Sequence, residues 1–294
     1  MPPAFALTGV HLTLTYVESE QFIFSVNGET GLVTLSTRAL EIIWASSYLN
    51  GIYYYTVGKK GGLSKSVAID PSEEPEVLSA MKLFDWALNA SLGKDVPKDW
   101  PDDLRQPSAD VSRDSWENLA DELTLVGVGY VLLHEAAHVF LKHDPSTPSG
   151  WSIDQEKDAD RQAVEWYFQD TAPGSNERTK RGLGVATVLL ARVASAMFTG
   201  KFGGQSHPIS WQRLDQMIRL MESDGVHPVF AYLAHLLPLY RSMSGKTFAP
   251  GAFDDFLHAF DSFIDDLSRT FPLTCPGPLC ASHAGRAAGK PPRV

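Results

Sequence analysis

The stretch Leu123-Thr124-Leu125-Val126-Gly127-Val128-Gly129-Tyr130-Val131-Leu132-Leu133-His134-Glu135-Ala136-Ala137-His138 decides how the rest of the chain is read. Eleven apolar or small residues lead directly into two histidines four positions apart. On an α-helix that spacing leaves the two side chains about 40° apart, so both can reach one ion. Glu135 lies roughly a quarter turn away, where a carboxylate can stay off the metal and accept a proton from a metal-bound water. This is the arrangement of zinc peptidases. Two solvent-facing histidines would be the bland alternative. The segment Leu123 to Leu133 argues against it, being apolar on nearly every face and predicting a buried helix, where unpaired polar groups are costly.

A catalytic zinc takes a third protein ligand and leaves a fourth position to water. Glu156 lies eighteen residues past His138, in Glu156-Lys157-Asp158-Ala159-Asp160. Ser152 and Gln155 form a capping-box pattern that starts a helix carrying Glu156 in its first turn. Asp160 shares its face and is placed to accept the second ring N–H of a ligating histidine. Alone, these acids would simply complement the helix dipole. The competing third ligand, ten residues after the first histidine, is Asp144, but that scheme needs a glycine where Leu141 stands. His143 falls one place out of register and reads as a surface or helix-end residue.

Working outward, 11–16, 22–26 and 32–35 alternate as strands around the turn former Asn27-Gly28. Ser36 caps a helix to about residue 50. Residues 52–57 and 64–69 suggest a second hairpin, and Tyr53-Tyr54-Tyr55 reads as strand packing. A helix follows from Pro71 to about Leu92, and 93–112 read as a linker rich in Pro, Asp, Lys and Ser. Helices then cover about 115–142, 154–170, 177–199, 207–223, 228–242 and 250–269. The expectation is an α+β, zincin-like fold: an amino-terminal α/β region (1–95) contributing the sheet, a mainly helical catalytic region (96–270) and a flexible tail (271–294).

The 44% hydrophobic and 20% charged composition is that of a globular protein, which argues against disorder. A net charge of -10 opposes nucleic-acid binding. Cys275 and Cys280 lack the partners of a zinc knuckle or disulfide framework. No secretory signal is recognised at the amino terminus, so a cytoplasmic location is expected. Leu123 to Leu133 meets His134, and Leu183 to Phe198 contains Arg192, so no membrane span is expected. His235 and His258 lie in apolar helical patterns and read as core or boundary residues, while His227-Pro228 reads as a helix start.

The His-Glu-x-x-His and Glu-x-x-x-Asp pair resembles the gluzincin peptidases. Glu156-Lys157-Asp158-Ala159-Asp160 and the later His207-Pro208-Ile209-Ser210-Trp211-Gln212-Arg213 are similar to the HtpX and CAAX-prenyl protease branch. With Tyr130, Glu165 and Trp166 added, residues 115–215 look most like the Lit-like phage-exclusion peptidases of bacteria. That resemblance implies one zinc ion on His134, His138 and Glu156, with Glu135 as general base. The similarity to the HtpX and CAAX-prenyl branch implies His207 as oxyanion stabiliser, and Arg213 on the substrate backbone or the site carboxylates. The implied role is anti-phage defence by cleavage of a protein substrate such as a host translation factor. Restraint of activity suggests an activator or inhibitor protein. Two alternatives remain open: a catalytically inactive, zincin-derived binding or sensing module with a structural metal, and hydrolysis of a non-peptide amide.

Overall fold

Three strands, β1 (Thr13–Val17), β2 (Phe24–Asn27) and β3 (Leu32–Ser36), form a sheet of order β1-β3-β2 in the computed structural model, which describes residues 10–19, 21–61, 70–144, 151–200, 209–221, 227–245 and 254–270. β2 and β3 pair antiparallel as the expected hairpin, and β1 adds in parallel with Tyr16 opposite Leu35. The hairpin turn is built by Asn27, whose Oδ1 accepts the N–H groups of Glu29 and Thr30 at 3.0 and 2.9 Å.

Ser36 ends the sheet and starts the first helix, α1 (Thr37–Gly61). Its Oγ accepts the Ala39 N–H at 3.1 Å and donates to the Gln21 carbonyl at 2.7 Å, so the predicted cap is present. α1 then continues through 52–57, where a second hairpin was expected. Ile42, Leu49, Ile52, Tyr53 and Val57 recur at helical spacing and are buried in the main core, and that packing overrides the strand propensity of the aromatic run. The proposed partner strand, 64–69, lies outside the described residues.

A 3₁₀ turn (Pro71–Glu73) precedes α2 (Pro75–Ser91), which begins at Pro75 because proline suits a first helical position. The remaining helices are α3 (Trp116–Phe140), α4 (Ile153–Phe168), α5 (Asn176–Thr199), α6 (Ser210–Met221), α7 (Pro228–Met243) and α8 (Phe256–Thr270). They share one apolar core running from Ile42 to Leu267. A buried polar seam joins three of them: Tyr240 on α7 donates to Asn50 on α1 at 2.7 Å and bonds Ser46 at 2.9 Å, while Thr187 on α5 meets Tyr232 on α7 at 2.7 Å.

α3 is the helix that positions the site. It crosses α5 at a glycine pair: a Cβ on Gly127 would lie 2.3 Å from Val188 Cγ2 and 2.8 Å from the Gly184 carbonyl oxygen. Its sheet side packs Leu132 and Val139 on the small cluster of Val26, Val33, Leu35 and Trp151. The expected all-round burial is corrected, since Leu125 is 71% exposed: one face is covered along the helix at Ala120, Leu123, Gly127 and Tyr130, and burial is continuous only from Leu133 to His138. α3 and α5 are long and apolar enough to cross a membrane, with half and nearly three-quarters of their most apolar stretches buried inside this fold.

Candidate metal centre

The helical register of α3 brings His134 and His138 to one face, with their Nε2 atoms 3.2 Å apart. α4 supplies the third donor. Ser152 caps it in a complete capping box, its Oγ accepting the Gln155 N–H while the Gln155 side chain accepts the Ser152 N–H, which fixes the first turn that carries Glu156. Glu156 Oε2 lies 3.4 Å from His134 Nε2, and Oε1 lies 3.6 Å from His138 Nε2. A tetrahedral zinc with bonds near 2.0–2.1 Å requires ligand atoms roughly 3.3–3.4 Å apart. The histidine pair is close to that edge, each histidine has a Glu156 oxygen at a similar distance, one ligand atom from each residue falls within 4.8 Å of the others, and all three side chains are buried, so the donor set fits the ion.

Among the described residues this is the one cluster of three or more His, Cys, Asp or Glu side chains able to hold a metal. Asp144 is outside it; its backbone carbonyl instead accepts the Gln155 side chain at 3.0 Å. Glu135 is buried beside the cluster without being one of its donors.

Asp160, one turn along α4 from Glu156, gathers three donors. His134 Nδ1 is 2.9 Å from its Oδ1, the Tyr130 hydroxyl donates to the same oxygen at 2.9 Å, and Arg213 from α6 makes contacts of 3.0 and 2.6 Å. Arg213 Nη1 is also 3.7 Å from Glu156 Oε2. Arg213, implied for the substrate backbone or the site carboxylates, lies against the carboxylates of Asp160 and Glu156. His207 lies outside the described residues, as do Cys275, Cys280 and the tail.

Charges in this cluster are set by opposing effects. Burial raises the Asp160 carboxyl, but Arg213 and His134 outweigh it and hold the group down to about 2. Burial and Arg213 press His134 down, yet Asp160 and Glu156 draw the metal-free ring up to about 9. Burial and the neighbouring His134 pull His138 down to about 3, which keeps it a neutral donor.

Three contributors were given no role in the site by the sequence. Tyr130 stands four residues before His134 on the same helix face, a spacing that could have assigned it. Trp151, immediately before the α4 cap, stacks on His138 with ring centroids 4.6 Å apart and planes at 17°. His143, read as a surface or helix-end residue, does stand at the end of α3, but it is part-buried and neighbours the site, its Nδ1 lying 3.0 Å from His138 Nδ1. Three further described histidines stay apart from the metal cluster: His227 caps α7, His235 lies 2.6 Å from the Ala231 carbonyl oxygen, and His258 is at the exposed start of α8.

Comparison with known proteins supports the same region. The cell death peptidase of Escherichia coli (strain K12) is 26% identical over 216 residues, which cover 68% of this chain and 71% of the relative. No solved structure matches. The family model described as Peptidase U49 matches residues 33–234, a span that contains His134, Glu135, His138, Glu156, Asp160 and Arg213. The chain belongs to the Peptidase U49 family.

Proposed function

We propose that this peptidase is a zinc-dependent endopeptidase of gluzincin type. The observation that carries the reading is the buried set of His134, His138 and Glu156, whose ligand atoms converge within 4.8 Å of one another, the grouping a zinc site needs. When bound there, zinc would polarise a peptide carbonyl and lower the pKa of a water toward about 7.

The chain's own residues do the rest. Asp160 accepts His134 Nδ1–H and so leaves the Nε2 lone pair facing the other donors. Arg213 from α6 and Tyr130 from α3 hold that carboxylate in place. Glu135 takes the proton of the attacking water on a carboxylate oxygen and delivers it to the leaving amine. His207 is assigned, by the resemblance, to the developing oxyanion.

The resemblance to Lit-like phage-exclusion peptidases and the similarity to a cell death peptidase extend the proposal to biology. The protein acts in the cytoplasm on a protein substrate, a host translation factor being the class implied, and contributes to anti-phage defence. An activator or inhibitor partner restrains it until needed.

The test is Glu135→Gln beside wild type, with zinc content by elemental analysis and terminal-peptide proteomics in expressing cells. The variant is expected to fold, hold one zinc and produce none of the wild-type cleavages, a loss of about 10²–10⁴-fold or more. Equal cleavage by both forms would remove Glu135 from the mechanism. Zinc retained with no cleavage by either form would favour a binding or sensing module instead.

A further inference from the structure

α3 ends in a turn with two specific backbone bonds. The His143 N–H donates to the His138 carbonyl at 3.0 Å and the Lys142 N–H to the Val139 carbonyl at 3.1 Å. Leu141 closes the helix in the right-handed region and Lys142 adopts the left-handed one, at φ 54°. This is a Schellman turn with lysine in the place glycine usually takes. It folds the chain back so that the imidazole of His143 returns to the end of the helix and meets His138 edge to edge, Nδ1 to Nδ1, at 3.0 Å.

His138 has no other freedom. Its Nε2 faces His134 and Glu156, Trp151 covers one ring face, and the side chain is fully buried. The sheet supports this packing, because a Cβ on Gly28 in the β2–β3 turn would lie 2.9 Å from Trp151 Cη2 and 3.3 Å from the His143 carbonyl oxygen. A histidine that ligates through Nε2 must carry its proton on Nδ1, and a buried Nδ1–H needs an acceptor. At 3.0 Å the acceptor is the Nδ1 lone pair of His143.

We propose that His143 is a positioning residue for the metal site: as its Nε2–H tautomer it accepts the Nδ1–H of His138, fixing that ring's tautomer and leaving Nε2 as the donor atom. The inference rests on the metal-site reading above. The two ligating histidines are then oriented differently, His134 by an anionic carboxylate and His138 by a neutral imidazole.

The test uses the full chain as wild type, His143→Asn and His143→Leu. Asparagine keeps an acceptor near the position of Nδ1, and leucine removes it. In metal-free protein, ¹⁵N imidazole NMR should show His138 as a single Nδ1–H tautomer in wild type and the Asn variant, and a tautomer mixture in the Leu variant. Zinc affinity, measured by competition with a chromophoric chelator, should fall about 10–100-fold for Leu and be largely rescued by Asn. Equal losses in both variants, an unchanged affinity in the Leu variant, or a single His138 tautomer persisting there would overturn the proposal. Wild type that binds no zinc would sink the metal reading alone, since the metal-free spectra still decide the histidine pairing.

Discussion

Replacing Asp160 with asparagine is the sharpest probe of how the site is held together. Asparagine keeps the shape of the side chain but removes the charge that faces Arg213 at 3.0 and 2.6 Å and His134 at 2.9 Å. Asp160 is held at about 2 against an ordinary 3.8. Nearly two units at ~1.36 kcal/mol each amount to roughly 2.5 kcal/mol of native stability. Breaking a buried pair from one side costs about 3–5 kcal/mol, because the partner charge is left behind. Arg213 keeps 22% of its side chain exposed, which places the expected loss near the low end, about 3 kcal/mol or roughly 6 °C in Tm. Urea unfolding of the metal-free protein, followed by circular dichroism at about pH 5.5, measures it in a cycle with Arg213→Met and the double variant. The double variant should be more stable than Asp160→Asn alone. The sign of the pH dependence follows from the two shifts. A lowered carboxylate contributes above 3.8 and fades as the pH falls through about 2. The raised His134 contributes below 6.5 and fades as the pH rises through about 9, so the gap between wild type and variant should also narrow there. Additive single-variant losses, within about 0.5 kcal/mol, would refute a coupled cluster.

Other perturbations separate donor, turn and crossing. Glu156→Ala should lose the metal while keeping the fold; zinc stoichiometry remaining at one by elemental analysis would move the third ligand elsewhere. Lys142→Gly relieves a left-handed lysine on an exposed turn and should raise stability by about 0.5–1 kcal/mol with zinc affinity unchanged, as read by thermal melts and chelator competition. Gly127→Ala should lose about 1–2 kcal/mol in denaturant titrations despite alanine's better helix propensity, because its Cβ would press on backbone of α5. Gly129→Ala is the matched control: its Cβ would meet only the Tyr167 ring edge, the hydroxyl at 3.7 Å and Cε2 at 3.9 Å, both ordinary contacts, and it should be neutral or stabilising.

What the chain reveals on inspection depends on how local its cause is. His134 and His138 are readable because one helix turn sets their relation, and Glu156 and Asp160 because a capping box announces the helix that carries them. Residues 52–57 misled because three tyrosines among β-branched neighbours have strand propensity, whereas burial against α2 and the other helices decided the matter. Arg213 reaches Asp160 across 53 residues only because α6 packs on α4 and α5, a relation no spacing encodes. His143 was hidden for the opposite reason: the cause is local, but lysine stands where glycine would have signalled the turn. The donors and Asp160 thus come from two short motifs, while the remaining groups that align them come from a helix-end turn, a hydroxyl one turn back and a separate helix. Disturbing α6 alone should leave all three donors in the chain and on their helices, yet release Asp160 from Arg213. The metal site therefore depends for its donor atoms on local sequence and for their alignment on the packing of the whole helical body.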